Sequence, residues 1–411
     1  MASLDLSAAS NVLKVRYIGP IREQINQKIV LLSRLEKEEG FIDVSGKTFT
    51  VPIHTGRNVS AGSARGDGGT LPTAGVQQYQ TAIIPNSYVY TTIKVTGPTI
   101  RATRDSAGAF VRAVDSETRG ATKDMKREVN RMLNGDGSGA LAYWTSADDT
   151  SGEDTDDNQG NGFIHLPKAG TTTCDLIDAS DNSTVLGNSI VVTRGATVAA
   201  SVAVTWTGTV SGSADGDYLV KEDSLGYEMM GLRGIVSASN PVLLSGGLHG
   251  LAVASHPYWV AQSRGASGVK RDLDLDIMQQ PLDDIAMESD YDESDVSFLL
   301  ANYPIRAKYV SLLQADKRFV NTMTLDGGFT AVEFNSKPMI LDPQCDRGKI
   351  YYIVPESLRI FRTSDFDWMD QDGSVLARVS GEDAYSATLF AYMNLGCVAR
   401  NANAVLFDLN D

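Results

Sequence analysis

A long amphipathic segment, residues 105–133, constrains the fold more than any other part of the sequence. Small or apolar side chains recur along it at spacings of three and four, which places them on one face of a helix. They are Val111, Val114, Thr118, Ala121, Met125, Val129 and Met132. Asp105 or Ser106 can cap the helix, and Asn134-Gly135 can end it. At 1.5 Å per residue the helix would be about 42 Å long, which is too long for one small core.

The opposite face of this helix carries positive charge. Arg112, Arg119 and Lys126 recur every seven residues, and Lys123 lies between them. The whole chain has a net charge of -15, which speaks against nucleic acid as a partner. Residues 97–134 nevertheless hold eight basic and five acidic side chains, about +3 in total. The pattern leaves two interpretations open: a solvated basic face, or a surface turned toward nucleic acid or another subunit.

A glycine-rich stretch of about 27 residues, 54–80, lies between two predicted strands, 47–53 and 81–84. A loop of this length inside a compact domain is rare unless it is functional. Fixing each residue costs about 1–2 kcal/mol of backbone entropy, and the stretch has little apolar surface to offset that cost. We therefore expect neighbouring chains to hold the loop in place.

Residues 144–216 differ in composition from the rest of the chain, because Asp, Ser, Thr and Gly dominate them. Alternating side chains predict a strand over 197–207, and the acidic run 148–158 predicts a surface turn. Residues 141–222 contain twelve acidic and three basic side chains, so their net charge is about -9. We interpret this region as an inserted, acidic β-rich subdomain.

The remaining segments alternate between helix and strand patterns. Near the N-terminus, a helical pattern of apolar residues ends at Gly40. A second helical pattern is formed by Leu275, Met278, Leu282 and Ile285, and Pro281 lies within it. A helix is also predicted over 304–315. Strands are predicted over 88–95, 296–300, 330–334, 337–341, 349–354 and 358–362, and Asp372-Gly373 signals a hairpin turn. The second half is therefore expected to form a compact α/β unit.

Motifs for catalysis and for cofactors are missing from the sequence. It contains no HExxH, GxxxxGK[ST], GxSxG or CxxC, and the four histidines are scattered. We therefore predict no enzyme activity, no cofactor and no metal site; a hydrolase using paired carboxylates is the least favoured function. Three distant cysteines indicate reduced thiols rather than a disulfide scaffold. The sequence contains no stretch that predicts a membrane span, and its N-terminus lacks a secretory pattern.

Several segments carry a family resemblance. NRMLNGDGSGALA (130–142), DFDWMDQDGSVLARV (365–379) and EDAYSATLFAYMNLGCVARNANAVLFDL (382–409) resemble parts of tailed-bacteriophage major capsid proteins of the Hong Kong 97-type fold. The order of the parts is also similar: an N-terminal arm, an extended loop, a long spine helix, and peripheral and axial domains. The resemblance covers residues 12–142 and 223–411 and implies an α+β capsid fold interrupted by the β-rich insertion.

The resemblance implies a domain assignment. Residues 1–45 would be the N-terminal arm and 46–84 the extended loop. Residues 85–142 and 380–411 would form the peripheral domain with the spine helix. Residues 143–222 would be the acidic insertion, and 223–379 the axial domain.

The resemblance also implies a function: self-assembly into hexamers and pentamers of an icosahedral head around double-stranded DNA. The implied partners are other copies of the chain, a separate scaffolding protein, a portal and a decoration protein, with no membrane. The protein would assemble in the host bacterial cytoplasm and reside in the virion. The alternative is the shell of an encapsulin-type nanocompartment.

Two groups of residues are candidates for these contacts. Arg57, Arg65 and Asp67 are candidate inter-subunit contacts in the extended loop. Arg112, Arg119, Lys123 and Lys126 form a candidate inward-facing basic stripe. Some relatives join subunits covalently through a loop lysine, but no lysine lies between Lys47 and Lys94 here. We therefore expect a non-covalent shell.

Overall fold

The computed structural model of the chain describes residues 30–37, 41–43, 48–102, 107–143, 146–147, 151–155, 166, 171–198, 201–208, 210–214, 216–241, 243–244, 246–315, 322–324, 330–370 and 375–410. Its α-helices are α1 Val30–Lys37, α2 Gly97–Ala102, α3 Ala107–Asn134, α4 Leu232–Ile235, α5 Leu275–Glu288 and α6 Tyr303–Ala315.

The strands of the first half are β1 Phe41–Asp43, β2 Thr48–Gly56, β3 Gln78–Pro85, β4 Ser87–Thr96, β5 Ala140–Tyr143, β6 Ser146–Ala147, β7 Ser151–Thr155, β8 Thr171–Ile177, β9 Val185–Val198, β10 Ser201–Trp206 and β11 Tyr218–Lys221. Those of the second half are β12 Gln262–Arg264, β13 Phe298–Ala301, β14 Thr322–Thr324, β15 Thr330–Phe334, β16 Lys337–Leu341, β17 Ile350–Ile353, β18 Leu358–Trp368, β19 Ala377–Arg378, β20 Ala384–Cys397 and β21 Ala404–Leu406.

The strands form three sheets and one hairpin. Sheet A has the order β1-β18-β20-β19, with β4 on the other edge of β20. Sheet B has the order β5-β11-β8-β9-β10-β7-β6, and sheet C the order β12-β21-β17-β13-β16-β15-β14. Strands β2 and β3 pair only with each other among the described strands. Mixed sheets with packed helices give the predicted α+β class.

Helix α3 confirms the predicted apolar face where its side chains are described. Thr118, Ala121, Met125, Val129 and Met132 are all buried. Ala121, Met125, Val129 and Met132 share one hydrophobic core with Val89 and Ile93 of β4 and with Leu389 and Met393 of β20. The side chains of Val111 and Val114, and the predicted caps Asp105 and Ser106, lie outside the described residues. Helix α3 therefore covers one face of sheet A.

The predicted insertion forms sheet B, which has its own hydrophobic core around Leu176, Val192, Val204 and Trp206. The single strand predicted over 197–207 is wrong, because the chain reverses between β9 and β10 and pairs Ser201 with Val198. The surface turn predicted over 148–158 is partly wrong, because β7 pairs with β10 at the sheet edge. Apolar and polar side chains continue to alternate across the reversal between β9 and β10, so the alternation alone does not reveal it.

Sheet pairing does not follow the predicted domain boundary at 379/380. Strand β18, which was assigned to the axial domain, pairs with β20 in sheet A. Strand β21, which was assigned to the peripheral domain, pairs with β17 and β12 in sheet C. The chain therefore crosses between the two sheets once through β18 and again through β21.

The predicted helices and strands of the second half are confirmed with small shifts. Helix α5 includes Pro281, which is buried with Met278, Leu282 and Ile285. Helix α6 and strands β13, β15, β16 and β17 match their predicted positions within two residues. The turn predicted at Asp372-Gly373 and the first 29 residues lie outside the described part of the chain.

Candidate assembly surfaces

The glycine-rich stretch is the tip of the β2–β3 hairpin. The two strands pair from Thr48 opposite Pro85 to Gly56 opposite Gln78, so residues 57–77 connect their ends. Every residue from 61 to 70 is exposed. Val59, Leu71 and Val76 are 85%, 83% and 75% exposed, respectively. The tip thus presents apolar side chains to solvent with nothing in the described chain to cover them.

Polar contacts give the tip a defined shape without covering it. The Asn58 side-chain oxygen accepts hydrogen bonds from the Ser60 backbone N–H at 2.9 Å and from the Ser60 hydroxyl at 2.7 Å. The Gly75 N–H donates to the Ser60 hydroxyl at 3.3 Å. An added Cβ at position 75 would lie 2.2 Å from the Asn58 side-chain oxygen, so any larger residue there would displace that oxygen. These bonds join the two arms of the tip.

The base of the hairpin is fixed to sheet A. Phe49 stacks on Phe361 with ring centroids 5.3 Å apart, and Ile84 is fully buried beside them. Gly396 of β20 makes room for this contact, since a Cβ there would lie 2.4 Å from Ile84 Cδ1. The Ile83 N–H also donates to the His249 carbonyl at 2.9 Å. The hairpin therefore combines a fixed base with an exposed tip.

The predicted contact residues Arg57, Arg65 and Asp67 all lie on this tip and are exposed. None of the three forms an ion pair with another described residue of the chain. Their charged groups therefore face solvent in the single chain, and their role in a contact stays a prediction.

The predicted basic stripe is only partly correct. Arg119 and Lys123 are exposed, but Lys126 is buried, with 4% of its surface exposed. The Arg112 side chain lies outside the described residues. Lys126 lies close to the end of α3, where every residue from 129 to 134 is buried, although the adjacent Arg127 is exposed. Seven-residue spacing alone therefore overestimated the length of the exposed basic surface.

A buried ion network encloses the end of α3. Arg131 forms an ion pair with Glu228 and contacts Glu128 through Nε at 3.0 Å. Lys221 of β11 reaches Glu128 at 2.7 Å. Burial alone would raise the Glu128 pKa, but the Arg131 and Lys221 cations hold it below its ordinary value. The network attaches the last strand of the insertion to the long helix.

A second network attaches α3 to sheet C. The side-chain amides of Asn130 and Asn134 donate to one oxygen of Asp342 at 2.8 and 3.3 Å. The Gln344 N–H donates to its other oxygen at 2.9 Å. Asp342 is fully buried, and burial raises the pKa of its carboxyl group. Breaking this contact would leave a buried charge without donors, so it fixes the position of the helix against sheet C.

Buried hydrogen bonds of Arg400 and His249 attach residues 234–259 to the end of β20 and to the turn that follows it. The fully buried Arg400 guanidinium donates to the carbonyls of Ile235, Trp259, Gly234 and Ser239. Burial without a carboxylate partner lowers its pKa to about 10. His249 Nε2 accepts a hydrogen bond from the Cys397 N–H at 3.0 Å. Burial, with a smaller effect of Arg400, lowers the His249 pKa to about 3.

The described residues offer few reactive or metal-binding side chains. No cluster of three His, Cys, Asp or Glu side chains that could hold a metal ion occurs among them. The three cysteines are buried and form no disulfide. Burial raises the pKa of Cys174 and of Cys397 to about 12, so both are thiols rather than thiolates at neutral pH. No helix in this part of the chain has the length and apolarity to cross a membrane.

The architecture is that of phage capsid proteins. The chain is similar to a protein in the capsid asymmetric unit of cyanophage A-1(L), with 14% sequence identity and a TM-score of 0.56. That match covers 90% of this chain and 91% of the other. At this identity the likeness establishes the fold, and the chain therefore has the Hong Kong 97-type capsid fold that its sequence predicted.

Two further similar structures have lower TM-scores than this one. One is the capsid of an empty GTA particle, with 9% identity and a TM-score of 0.48, covering 91% of this chain and 88% of that chain. The other is the SrpI encapsulin of Synechococcus elongatus, with 11% identity and a TM-score of 0.45, covering 90% of this chain and 85% of that chain. No protein-family model matches the sequence, and no curated protein matches it either.

Sequence reasoning missed several residues that shape these surfaces. The buried Arg400 and His249 gave no motif, because their partners are backbone groups far away in the sequence. The aromatic side chains of Tyr88 and Tyr90 on the open face of sheet A were also missed, although both are half-exposed. The strict alternation of β4 could have revealed them, because it places both on the face opposite the core.

Proposed function

We propose that this chain is a major capsid protein whose copies assemble into a closed shell. The observation that carries the proposal is the hairpin: its base is packed into sheet A, and its tip exposes apolar side chains that the chain itself does not cover. Large apolar side chains that are exposed on a projecting arm favour a protein–protein contact. The capsid fold supplies the geometry in which such an arm reaches a neighbouring copy.

The finer assignment follows from the family resemblance and from charge. Hexamers and pentamers of the chain would form an icosahedral head around double-stranded DNA. The acidic insertion, with its net charge of about -9, is assigned to the outer surface because it would repel packaged DNA. Arg119 and Lys123 are the exposed cations of α3 and are assigned to the interior. A scaffolding protein, a portal and a decoration protein are further partners.

The proposed role is structural, and its location is the virion after assembly in the host cytoplasm. The decisive experiment is to purify assembled particles and to treat them with nuclease before extracting nucleic acid. A capsid protects genome-length double-stranded DNA. Particles that contain a cargo enzyme and no protected DNA would instead identify an encapsulin-type compartment.

A further inference from the structure

A tight turn that contains His249 contacts the base of the β2–β3 hairpin. The His249 carbonyl accepts the Ile83 N–H of β3 at 2.9 Å, and the His249 ring accepts the Cys397 N–H of β20 at 3.0 Å through Nε2. In the same turn, the Leu248 carbonyl accepts the Trp259 indole N–H at 3.1 Å. This turn therefore joins the hairpin, sheet A and the segment around Trp259.

The bond from Ile83 to His249 lies outside the pairing of the two hairpin strands. Because bonded and non-bonded pairs alternate along an antiparallel ladder, Ile83 belongs to a non-bonded pair, and its neighbours Ala82 and Ile84 donate to β2. Pro52, which has no N–H, lies in the next non-bonded pair. The hairpin can therefore separate from His249 without losing its own ladder.

The turn holds His249 in a backbone conformation that is unfavourable for a residue with a side chain. Its φ is +56, in the left-handed region, and the nearby Gly247 and Gly250 both have φ +82. Burial of the imidazole and the two hydrogen bonds of His249 offset the cost of this conformation. Loss of the ring's hydrogen bond therefore removes one of the contacts that keep the turn in place.

The bond to β20 requires a neutral imidazole, since a protonated ring has no acceptor nitrogen. The charged group that affects the ring is the Arg400 guanidinium, which disfavours a second positive charge. The adjacent Cys397 thiol is neutral, because burial raises its pKa to about 12. A proton on His249 is therefore incompatible with the closed arrangement of the turn.

The charged and titratable side chains on the other elements around the turn have partners of their own. They are His54 with Tyr79 on the hairpin, His256 with Tyr258 after the turn, and Glu228 with Arg131 and Glu128 with Lys221 across the groove that His249 lines. This groove has a volume of about 1160 Å³ and gives water access to the turn.

We propose that His249 is a pH-sensitive attachment of the hairpin: protonation of its ring frees the turn from β20 and from β3 while the chain stays folded. The hairpin base then keeps only its apolar contacts with sheet A. This inference rests on the proposed function for its consequence, because the tip of the same hairpin is the surface that would contact another copy.

The size of the effect follows from two pKa values. In the closed arrangement, burial lowers the pKa of His249 to about 3, whereas a released and solvated ring titrates at about 6.5. Release is therefore independent of pH above about 6.5 and becomes more favourable as the pH falls below that value. Between pH 7.5 and pH 5, the released fraction should rise about 30-fold.

The test is amide hydrogen exchange of the unassembled chain at pH 7.5 and pH 5, with each rate divided by the intrinsic rate at that pH. The protection of the Ile83 and Cys397 amides should fall about 30-fold, because both lose their His249 acceptor. The Ala82 and Ile84 amides should keep their protection, because the ladder of the hairpin stays paired.

Two variants provide the comparison. In His249→Gln the side chain can accept the Cys397 N–H but does not titrate, so the protection of Ile83 should change much less with pH than in the wild type. His256→Gln removes a nearby histidine that bonds Tyr258 instead, and it should follow the wild type.

Three results would overturn the proposal. They are unchanged protection of Ile83 at pH 5, an equal loss at Ile83 and Ala82, and a full loss at Ile83 in His249→Gln. If that variant does not fold, the comparison of Ile83 with Ala82 in the wild type decides alone. None of these measurements uses particles, so the attachment can fail while the proposed function stands. Absence of particles at pH 7.5 would contradict the proposed function and leave the exchange result unaffected.

Discussion

Acid should destabilise this protein through His249. Its Nε2 accepts the Cys397 N–H, and its carbonyl accepts the Ile83 N–H of the hairpin base. A protonated imidazole has no acceptor nitrogen, so protonation breaks the bond to β20. Burial disfavours the charged ring and lowers the His249 pKa to about 3. The histidine is therefore neutral in the folded chain at any pH above about 4.

The magnitude follows from the difference between the folded and unfolded pKa values. An unfolded histidine titrates at about 6.5. Above that pH neither state is protonated, and the full stability is present. Below it the unfolded state binds a proton that the folded state does not bind, so stability falls with pH down to about 3. The loss is about 2 kcal/mol at pH 5 and about 3 kcal/mol at pH 4.

The assay compares urea unfolding of the unassembled wild-type chain and of His249→Gln at pH 7.5, 6 and 5. Glutamine can accept the Cys397 N–H but does not titrate. The left-handed backbone at position 249, with φ +56, adds a constant cost that cancels in the comparison. The wild type should lose about 2 kcal/mol more than the variant between pH 7.5 and pH 5. Parallel losses of stability in the two proteins would show that His249 does not cause this pH dependence. His256→Gln is the matched control and should follow the wild type.

Three further predictions concern the shell and its parts. Mature particles boiled in detergent should run as a single band near 44 kDa, because the extended loop has no lysine for a covalent link; a ladder that survives reductant would contradict this. Deleting residues 145–217 with a short Gly/Ser bridge should leave a folded core that assembles, because β5 pairs directly with β11 and the two strands can close the gap; an unfolded product would make the insertion integral. Leu71→Asp combined with Val59→Asp should leave the secondary structure unchanged and prevent assembly, whereas the equally charged control Ser63→Asp combined with Thr70→Asp should assemble; equal assembly of both would remove the tip from the interface.

The sequence predicted helices and strands well where a single face of the element packs against a single hydrophobic core. The spacing of Thr118, Met125 and Val129 identified the buried face of α3, because a helix packed against a single sheet buries one stripe. Lys126 was placed wrongly: it is buried and lies close to the end of α3, which packs against the 228–235 segment and Asp342. Those partners lie about 100 to 200 residues away in sequence, and no local pattern reports them.

The pairing of strands that are distant in sequence was the second feature that the sequence did not reveal. The exchange of β18 and β21 between sheets A and C depends on which distant edges meet, and each strand by itself fits either sheet. The reversal between β9 and β10 was hidden because alternation continued across it. The exposure of the extended loop was predictable for a different reason: the stretch has little apolar surface through which the chain could bury it, and its tip is exposed.

Electron microscopy of the 411-residue chain, purified together with its natural assembly partners, distinguishes a shell protein from one that stays as separate chains. We expect closed shells of regular outline built from the 44.1 kDa chain. A preparation that contains only separate chains under those conditions would contradict it.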